Sequence, residues 1–215
     1  MKTVIISGGS LNHEFATAFL KKEKPDYLLI ADRGMQFCYE QGITPDYVMG
    51  DFDSSDAKIV SYYRNCEGVQ IIEFQPEKDD TDMEIAIKKA IELGSDKILI
   101  LGAFGGRMDH CLANIHLLKM TLDAGVETHL VDEQNDICLI TGKCELEKES
   151  QYGKYVSFLP FTDRVTGITL QGFKYPLEDY TMDKGTSLGV SNEIQEDICR
   201  ISFENGIMIM IQSRD

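Results

Sequence analysis

Two pairs of aspartates are the first residues in this chain whose spacing suggests chemistry. Asp51 and Asp53 stand two apart in Gly50-Asp51-Phe52-Asp53-Ser54, and Asp79 and Asp82 three apart in Lys78-Asp79-Asp80-Thr81-Asp82. Residues two apart on an extended backbone point the same way, and residues three apart at a helix start share a face. Carboxylates crowded into one space repel and raise one another's pKa, and a hard divalent cation such as Mg²⁺ removes that repulsion through oxygen coordination. The ordinary alternative is that Asp79 or Asp80 caps a helix and Asp53-Ser54 begins another. For either pair alone both readings stand; two pairs on one edge of a sheet favour the metal.

Glycine turns and cations accompany the carboxylates. Gly8-Gly9-Ser10 and Gly105-Gly106-Arg107 each separate an expected strand from an expected helix. Such turns let backbone N–H groups approach phosphate oxygens beside a helix N-terminus. Neither is a Walker loop or a dinucleotide fingerprint, and each alone is equally consistent with a tight turn. Arg33, Lys78 and Arg107 add the positive charge that a polyphosphate requires, although a cation beside an aspartate also makes a plain surface pair. Asp109-His110 offers acid–base chemistry, but a histidine opening an amphipathic helix is ordinarily a packing residue. Cys111, Leu112, Ile115, His116 and Leu118 fit a core stripe on the same helix.

The elements that must position these groups follow from periodicity. Short apolar runs at Thr3–Ser7, Tyr27–Ala31, Tyr47–Gly50, Gln70–Phe74, Lys97–Leu101 and Thr128–Val131 read as strands. Helical patterns lie near 12–23, 33–41, 55–64, 80–93 and 108–124. Strands alternating with helices imply βαβ units and a mostly parallel sheet. The polar clusters follow five successive strands, so they converge on the one edge where such sheets bind ligands. After about Asp132 the pattern turns to strands at Asp136–Ile140, Lys154–Leu159, Val165–Gln171 and Ser187–Ile194. Ile198–Phe203 and Ile207–Gln212 flank Glu204-Asn205-Gly206, which reads as a hairpin. The expected organisation is an α/β domain over 1–132 followed by an all-β sandwich or barrel-like domain over 133–215.

Composition sets the boundaries of function. The 215 residues carry 36 Asp+Glu against 21 Lys+Arg, a formal charge of −15, which argues against a nucleic-acid binder needing a basic face. An acidic field suits cations and metal-bound substrates. No apolar stretch reaches the length of about 18 residues that a membrane helix needs, and the first residues read as strand and turn rather than a signal peptide. Six scattered cysteines without a CxxC pair suggest reduced thiols, and four histidines show no zinc spacing. The expectation is a soluble cytoplasmic enzyme.

Taken in order, Ala31-Asp32-Arg33-Gly34, Gly50 through Ser54, Pro76 through Glu84, Gly102 through His110 and Gly189-Val190-Ser191-Asn192-Glu193 resemble the thiamine pyrophosphokinase (thiamine diphosphokinase) family, its bacterial form closely. The resemblance spans nearly the whole chain. It implies transfer of the terminal diphosphoryl group of ATP to the hydroxyl of thiamine, giving thiamine diphosphate and AMP. It also implies a homodimer with thiamine at the subunit interface, between the α/β part of one protomer and the β part of its partner. Asp51, Asp53 and Asp82 correspond to Mg²⁺-side carboxylates, with Asp79 close by. Lys78, Arg107 and the Gly105-Gly106 turn correspond to triphosphate contacts. Asp32, Arg33 and Asp109 belong to the nucleotide cleft, and Ser191-Asn192 is similar to the segment closing over thiamine. Asp79 and Asp109 are the candidates for accepting the hydroxyl proton. The chain departs from the family at one point: some members place a tryptophan against the thiamine rings, and this sequence has none. The competing readings are a diphosphokinase acting on a pterin alcohol, a Mg²⁺-dependent nucleotide hydrolase, and a non-catalytic nucleotide or thiamine sensor.

Overall fold

The computed structural model describes residues 1–53, 55–75 and 79–215. The chain divides into two compact units, Met1–Glu133 and Gln134–Asp215.

In the first unit strands β1 (Lys2–Ile6), β2 (Tyr27–Ala31), β3 (Tyr47–Gly50), β4 (Gln70–Glu73), β5 (Lys97–Leu101) and β6 (Glu127–Val131) alternate with α1 (His13–Glu23), α2 (Gly34–Gln41), α3 (Ala57–Arg64), α4 (Asp82–Glu92) and α5 (Met108–Asp123). The strands pair in parallel in the order β6-β5-β1-β2-β3-β4. Their central members are apolar on both faces: Val4, Ile5, Ile6, Leu29, Ile30, Ile98 and Ile100 are buried, as a sheet covered by helices on both sides requires. The chain winds outward from β1 through β2, β3 and β4, then returns to the other side of β1 with β5. Strand order therefore reverses at β1, and the C-terminal ends of β1 and β5 flank the crevice where ligands enter such sheets.

Helix α4 shows how the sequence sets one boundary. Thr81 is its N-cap, with Oγ1 accepting the Glu84 N–H at 3.2 Å, and Met83, Ala86, Ile87 and Ala90 form its buried face. Neither Asp79 nor Asp80 caps the helix; Thr81-x-x-Glu84 supplies the capping sequence instead. Asp79 lies outside the helix, so the helical spacing expected to place it beside Asp82 does not apply.

The second unit consists of antiparallel strands β7 (Asn135–Ile140), β8 (Lys143–Glu147), β9 (Tyr155–Pro160), β10 (Arg164–Gln171), β11 (Leu177–Asp183), β12 (Asn192–Glu193), β13 (Ile198–Ser202) and β14 (Met208–Ser213). One sheet runs β12-β9-β14-β7 and the other β11-β10-β13-β8. Val156, Phe158, Met208 and Met210 of the first pack with Val165, Ile168, Leu170, Cys199 and Ile201 of the second in one core. This is the expected sandwich, with three differences. Strands β8 and β11 are not visible in the hydrophobic pattern, because their alternation is half-polar and exposed. The expected strand over Ser187–Ile194 shrinks to Asn192–Glu193. The expected hairpin at Asn205-Gly206 is not one: β13 pairs with β8 and β10, whereas β14 pairs with β7 and β9 in the other sheet. Gly206 has a positive φ of 104° but Asn205 does not, and a two-residue hairpin turn of that type needs both. Glu204 and Asn205 instead bridge to Thr166, and the chain crosses between sheets.

Candidate active site

A cleft of about 580 Å³ opens at the strand-order reversal. Ser7 through Ser10 follow β1, Asp32 and Arg33 follow β2, Thr81 and Asp82 open α4, and Gly102 through Arg107 lead from β5 into α5; all line it, as do His110 and Asn114. Four of the five expected loops thus meet; the described residues of the fifth, Gly50 through Asp53 after β3, do not line this cleft.

The glycines have a steric reason that differs from the expected one. A Cβ on Gly9 would lie 2.3 Å from Gly102 O and 2.4 Å from Phe104 O. Gly9 N–H donates to Gly102 O at 2.9 Å and Ser10 N–H to Phe104 O at 2.6 Å. These two amides bind the neighbouring loop rather than facing a phosphate, so Gly9 is required for close approach of chain to chain. Gly8 makes room for Asp32, whose Oδ2 would lie 2.6 Å from a Cβ there.

Asp32 adopts a left-handed backbone (φ 53°) that turns its carboxylate over Gly8. Its pKa is raised, chiefly by burial and then by the charge of Asp82, with a smaller contribution from Asp51; Arg33 and its own contact with the Arg33 N–H oppose the shift. Asp32, Asp51 and Asp82 therefore share one field. Asp53 stands apart. Phe52 has a φ of 59° and Asp51 Oδ1 accepts the Asp53 N–H at 3.1 Å, so this stretch is a turn and not the extended backbone expected to align the two side chains. Asp53 is exposed and lines a separate groove with Ser55, Val60 and Arg64. Asp79 is exposed and does not line the cleft, and Lys78 lies outside the described residues.

Among the described residues no three His, Cys, Asp or Glu side chains form a ready-made metal cage. That suits Mg²⁺, which is commonly held by one or two carboxylates, waters and substrate phosphates. Hard oxygen donors whose mutual repulsion is already felt at Asp32 fit such a cation.

Arg107 and Asp109 form an exposed two-point pair, Nη2 to Oδ2 at 2.6 Å and Nε to Oδ1 at 3.2 Å. The Arg107 hydrogen bond draws the Asp109 pKa down to about 2. A depressed carboxylate is fully ionised above its unfolded value and protonates only as pH falls through its folded one. As long as it is paired with Arg107, Asp109 consequently stays charged throughout roughly pH 5–9 and is a weak base. Asp109→Asn is expected to leave the position of any acid limb in a pH–rate profile unchanged; a limb that moves with this substitution would give Asp109 the proton after all.

The buried face of α5 differs from the expected stripe. Cys111, Asn114, Leu118 and Thr121 form it, while Met108 is 66% and Leu112 56% exposed. His110 and His116 are exposed as well, so His110 faces the cleft rather than packing. Asn114 and Thr81 are site residues that motif and spacing do not single out; the signals that mark them are a polar residue within a helical core stripe and the Thr-x-x-Glu capping box.

In the second unit Asn192 is buried, and its amide is engaged by both backbone groups of Tyr175: Tyr175 N–H donates to Oδ1 at 3.0 Å and Nδ2 donates to Tyr175 O at 2.8 Å. Tyr175 itself is 57% exposed. Ser191 has a φ of 59° and its N–H donates to Ser157 Oγ.

Comparison with known proteins supports the reading of these motifs. The family model described as "Thiamin pyrophosphokinase, catalytic domain" matches residues 20–130, and "Thiamin pyrophosphokinase, vitamin B1 binding domain" matches 143–208. The chain is 34% identical over 217 residues to the thiamine pyrophosphokinase of Bacillus subtilis (strain 168), covering 100% of both. Crystal structures of the enzymes from Bacillus subtilis (TM-score 0.89, 31% identity, 100% of both chains) and Geobacillus thermodenitrificans (TM-score 0.86, 32% identity, 100% of this chain and 98% of that one) share its fold. The yeast enzyme, at 18% identity and a TM-score of 0.82 over 99% of this chain and 86% of that one, shares the fold alone. The chain belongs to the thiamine pyrophosphokinase family.

Proposed function

We propose that this protein transfers the β- and γ-phosphoryl groups of ATP together to the hydroxyl of thiamine. The observation that carries the reading is the cleft lined by Asp32, Asp82, Arg33 and Arg107, with the charge of Asp51 also felt at Asp32, in a chain matched by both domains of the family. The thiamine hydroxyl oxygen bonds to the β-phosphorus and releases its proton to solvent, the bond between the β-phosphorus and the bridging oxygen of the α-phosphate breaks, and AMP leaves with that oxygen. Such transfers depend on in-line positioning and charge neutralisation far more than on a strong base.

Mg²⁺ is assigned to Asp51 and Asp82 with Asp32 beside them, and the family resemblance adds Asp53; when bound it neutralises phosphate charge. Arg33 and Arg107 orient the triphosphate, and Arg107 must exchange Asp109 for phosphate oxygens as nucleotide enters. The resemblance adds Lys78, Asp79, Gly105 and Gly106 to this set. In the second unit Ser191-Asn192 forms the thiamine side. Asn192 acts there by clamping Tyr175, and Tyr175 stands in for the missing tryptophan as the ring that meets thiamine.

The proposed assembly is a cytoplasmic homodimer with thiamine at the subunit interface. Exposed Met108 and Leu112 on α5, and Leu188 and Val190 beside Ser191, give apolar surface for a second copy. No helix among the described residues is long and apolar enough to cross a membrane.

The deciding assay is AMP formation from ATP and Mg²⁺ with and without thiamine. AMP matched by thiamine diphosphate is the expected result. AMP that requires a hydroxymethylpterin, or phosphate released without any alcohol, would overturn it in favour of the pterin kinase or the hydrolase; bound ligand with no AMP would identify a sensor. Tyr175→Ala is expected to raise KM for thiamine about tenfold while KM for ATP stays constant, on the scale of one ring stack. An unchanged thiamine KM would place the stacking ring elsewhere.

A further inference from the structure

The loop between β5 and α5 turns its carbonyls inward in succession. Gly102 O accepts from Gly9 N–H at 2.9 Å, Phe104 O from Ser10 N–H at 2.6 Å, and Gly105 O from Cys111 Sγ at 3.6 Å. Between them, Ala103 O accepts from Asn114 Nδ2 at 2.6 Å. None of the N–H groups of residues 103–107 donates to an acceptor among the described residues. With four consecutive carbonyls held by protein donors, the amides of the same loop are left for a ligand in the cleft they line. Backbone N–H groups in sequence, at the start of a helix, form a cradle for an anion.

Asn114 is the only side-chain amide among these four donors. It lies two turns into α5, is 8% exposed, lines the cleft, and reaches back over the loop to its second residue. A leucine there would pack as well or better on a buried helical face, so packing gives no reason for a polar residue at this position.

We infer that Asn114 is a positioning residue: it turns the Ala103 carbonyl away from the cleft and so presents the loop amides to the phosphates of the nucleotide. This rests on the nucleotide reading above and adds to it the residue that sets the loop. The effect falls on nucleotide affinity, because the loop amides meet phosphate oxygens, and leaves thiamine unaffected.

The test uses the full chain. Asn114→Leu removes the donor at similar volume, Asn114→Asp keeps the shape without the donor, and Asn114→Gln keeps an amide. Calorimetric titration with MgATP and with Mg-tripolyphosphate should show roughly tenfold or greater weakening for Leu and Asp, with substantial recovery for Gln. KM for ATP should rise in parallel while KM for thiamine stays within about twofold, a split that general loosening of the fold would not produce. In the parent, Mg-tripolyphosphate should slow hydrogen exchange of the 103–107 amides, a measurement that needs no variant to fold. A Leu or Asp variant that binds both ligands like the parent, or a parent loop left unprotected, overturns the inference. Loop protection without thiamine-dependent AMP would overturn the reaction and leave the latch in place; activity with undiminished affinity in the variants would do the reverse.

Discussion

Asp82→Asn is expected to lower turnover about a thousandfold, several kcal/mol of transition-state charge stabilisation, while the protein remains folded. The two halves of this expectation have separate physical sources. Asp82 is the first residue of α4, but the helix is capped by Thr81 and held by Met83, Ala86, Ile87 and Ala90, none of which involves its carboxylate. Removing the acid sacrifices a helix-dipole contribution of about 0.3–1 kcal/mol and relieves repulsion felt at Asp32, two changes of opposite sign. Catalytically, the substitution removes one of the oxygen donors assigned to the cation. AMP formation measured against Mg²⁺ concentration, beside a thermal melt, tests both halves. Near-parental turnover would remove Asp82 from the metal-side set, and a collapsed melt would show that its role is structural. Magnesium with ATP is expected to raise the Tm of the parent and much less that of the variant, which detects the same defect without turnover.

Gly9→Ala is expected to destabilise the first unit by about 1–3 kcal/mol or more and to depress turnover with it. The added methyl would stand 2.3 Å and 2.4 Å from two backbone oxygens, neither of which is the movable end of a side chain. Something must shift, and the first interactions to yield are the Gly9 and Ser10 bonds to Gly102 O and Phe104 O. For a chain of this size each kcal/mol corresponds to about 2–4 °C in Tm. Gly106→Ala is the control: a Cβ there meets nothing within 4 Å, so stability should move by less than about 0.5 kcal/mol. Equal melts for the two variants would mean that the loops at the ends of β1 and β5 are not packed as described.

Much of the first unit is legible in the sequence because its signals are local. A strand covered on both faces is a short apolar run, and Tyr27–Ala31, Tyr47–Gly50 and Lys97–Leu101 fall where those runs fall. In the second unit the same logic finds Val165–Gln171 almost in full but not Lys143–Glu147, whose outward residues are Lys143, Glu145 and Glu147. On α5 it errs in the opposite sense: Leu112 is apolar and Asn114 polar, yet Leu112 faces out and Asn114 in. Residue type marks a face only where the surroundings are water on one side and core on the other, and neither holds beside a ligand cleft.

Hydrophobic period and connection length are enough to specify the alternation of elements, the parallel sheet that follows from it, and the convergence of polar clusters on one edge. The family motifs are equally a property of the linear chain. Which carboxylates act on one another is not. Spacing pairs Asp51 with Asp53, whereas the turn at Phe52 separates that pair and the arrangement of β2, β3 and α4 brings Asp51 and Asp82 to Asp32 instead. The need for Gly9, the inward carbonyls of residues 102–105 and the partner of Asn205 likewise arise only in the folded chain, between segments distant in sequence. Hydrophobic patterning acts within a few residues along the backbone, but repulsion between charges, close approach of two loops and the choice between two sheets depend on distances in space.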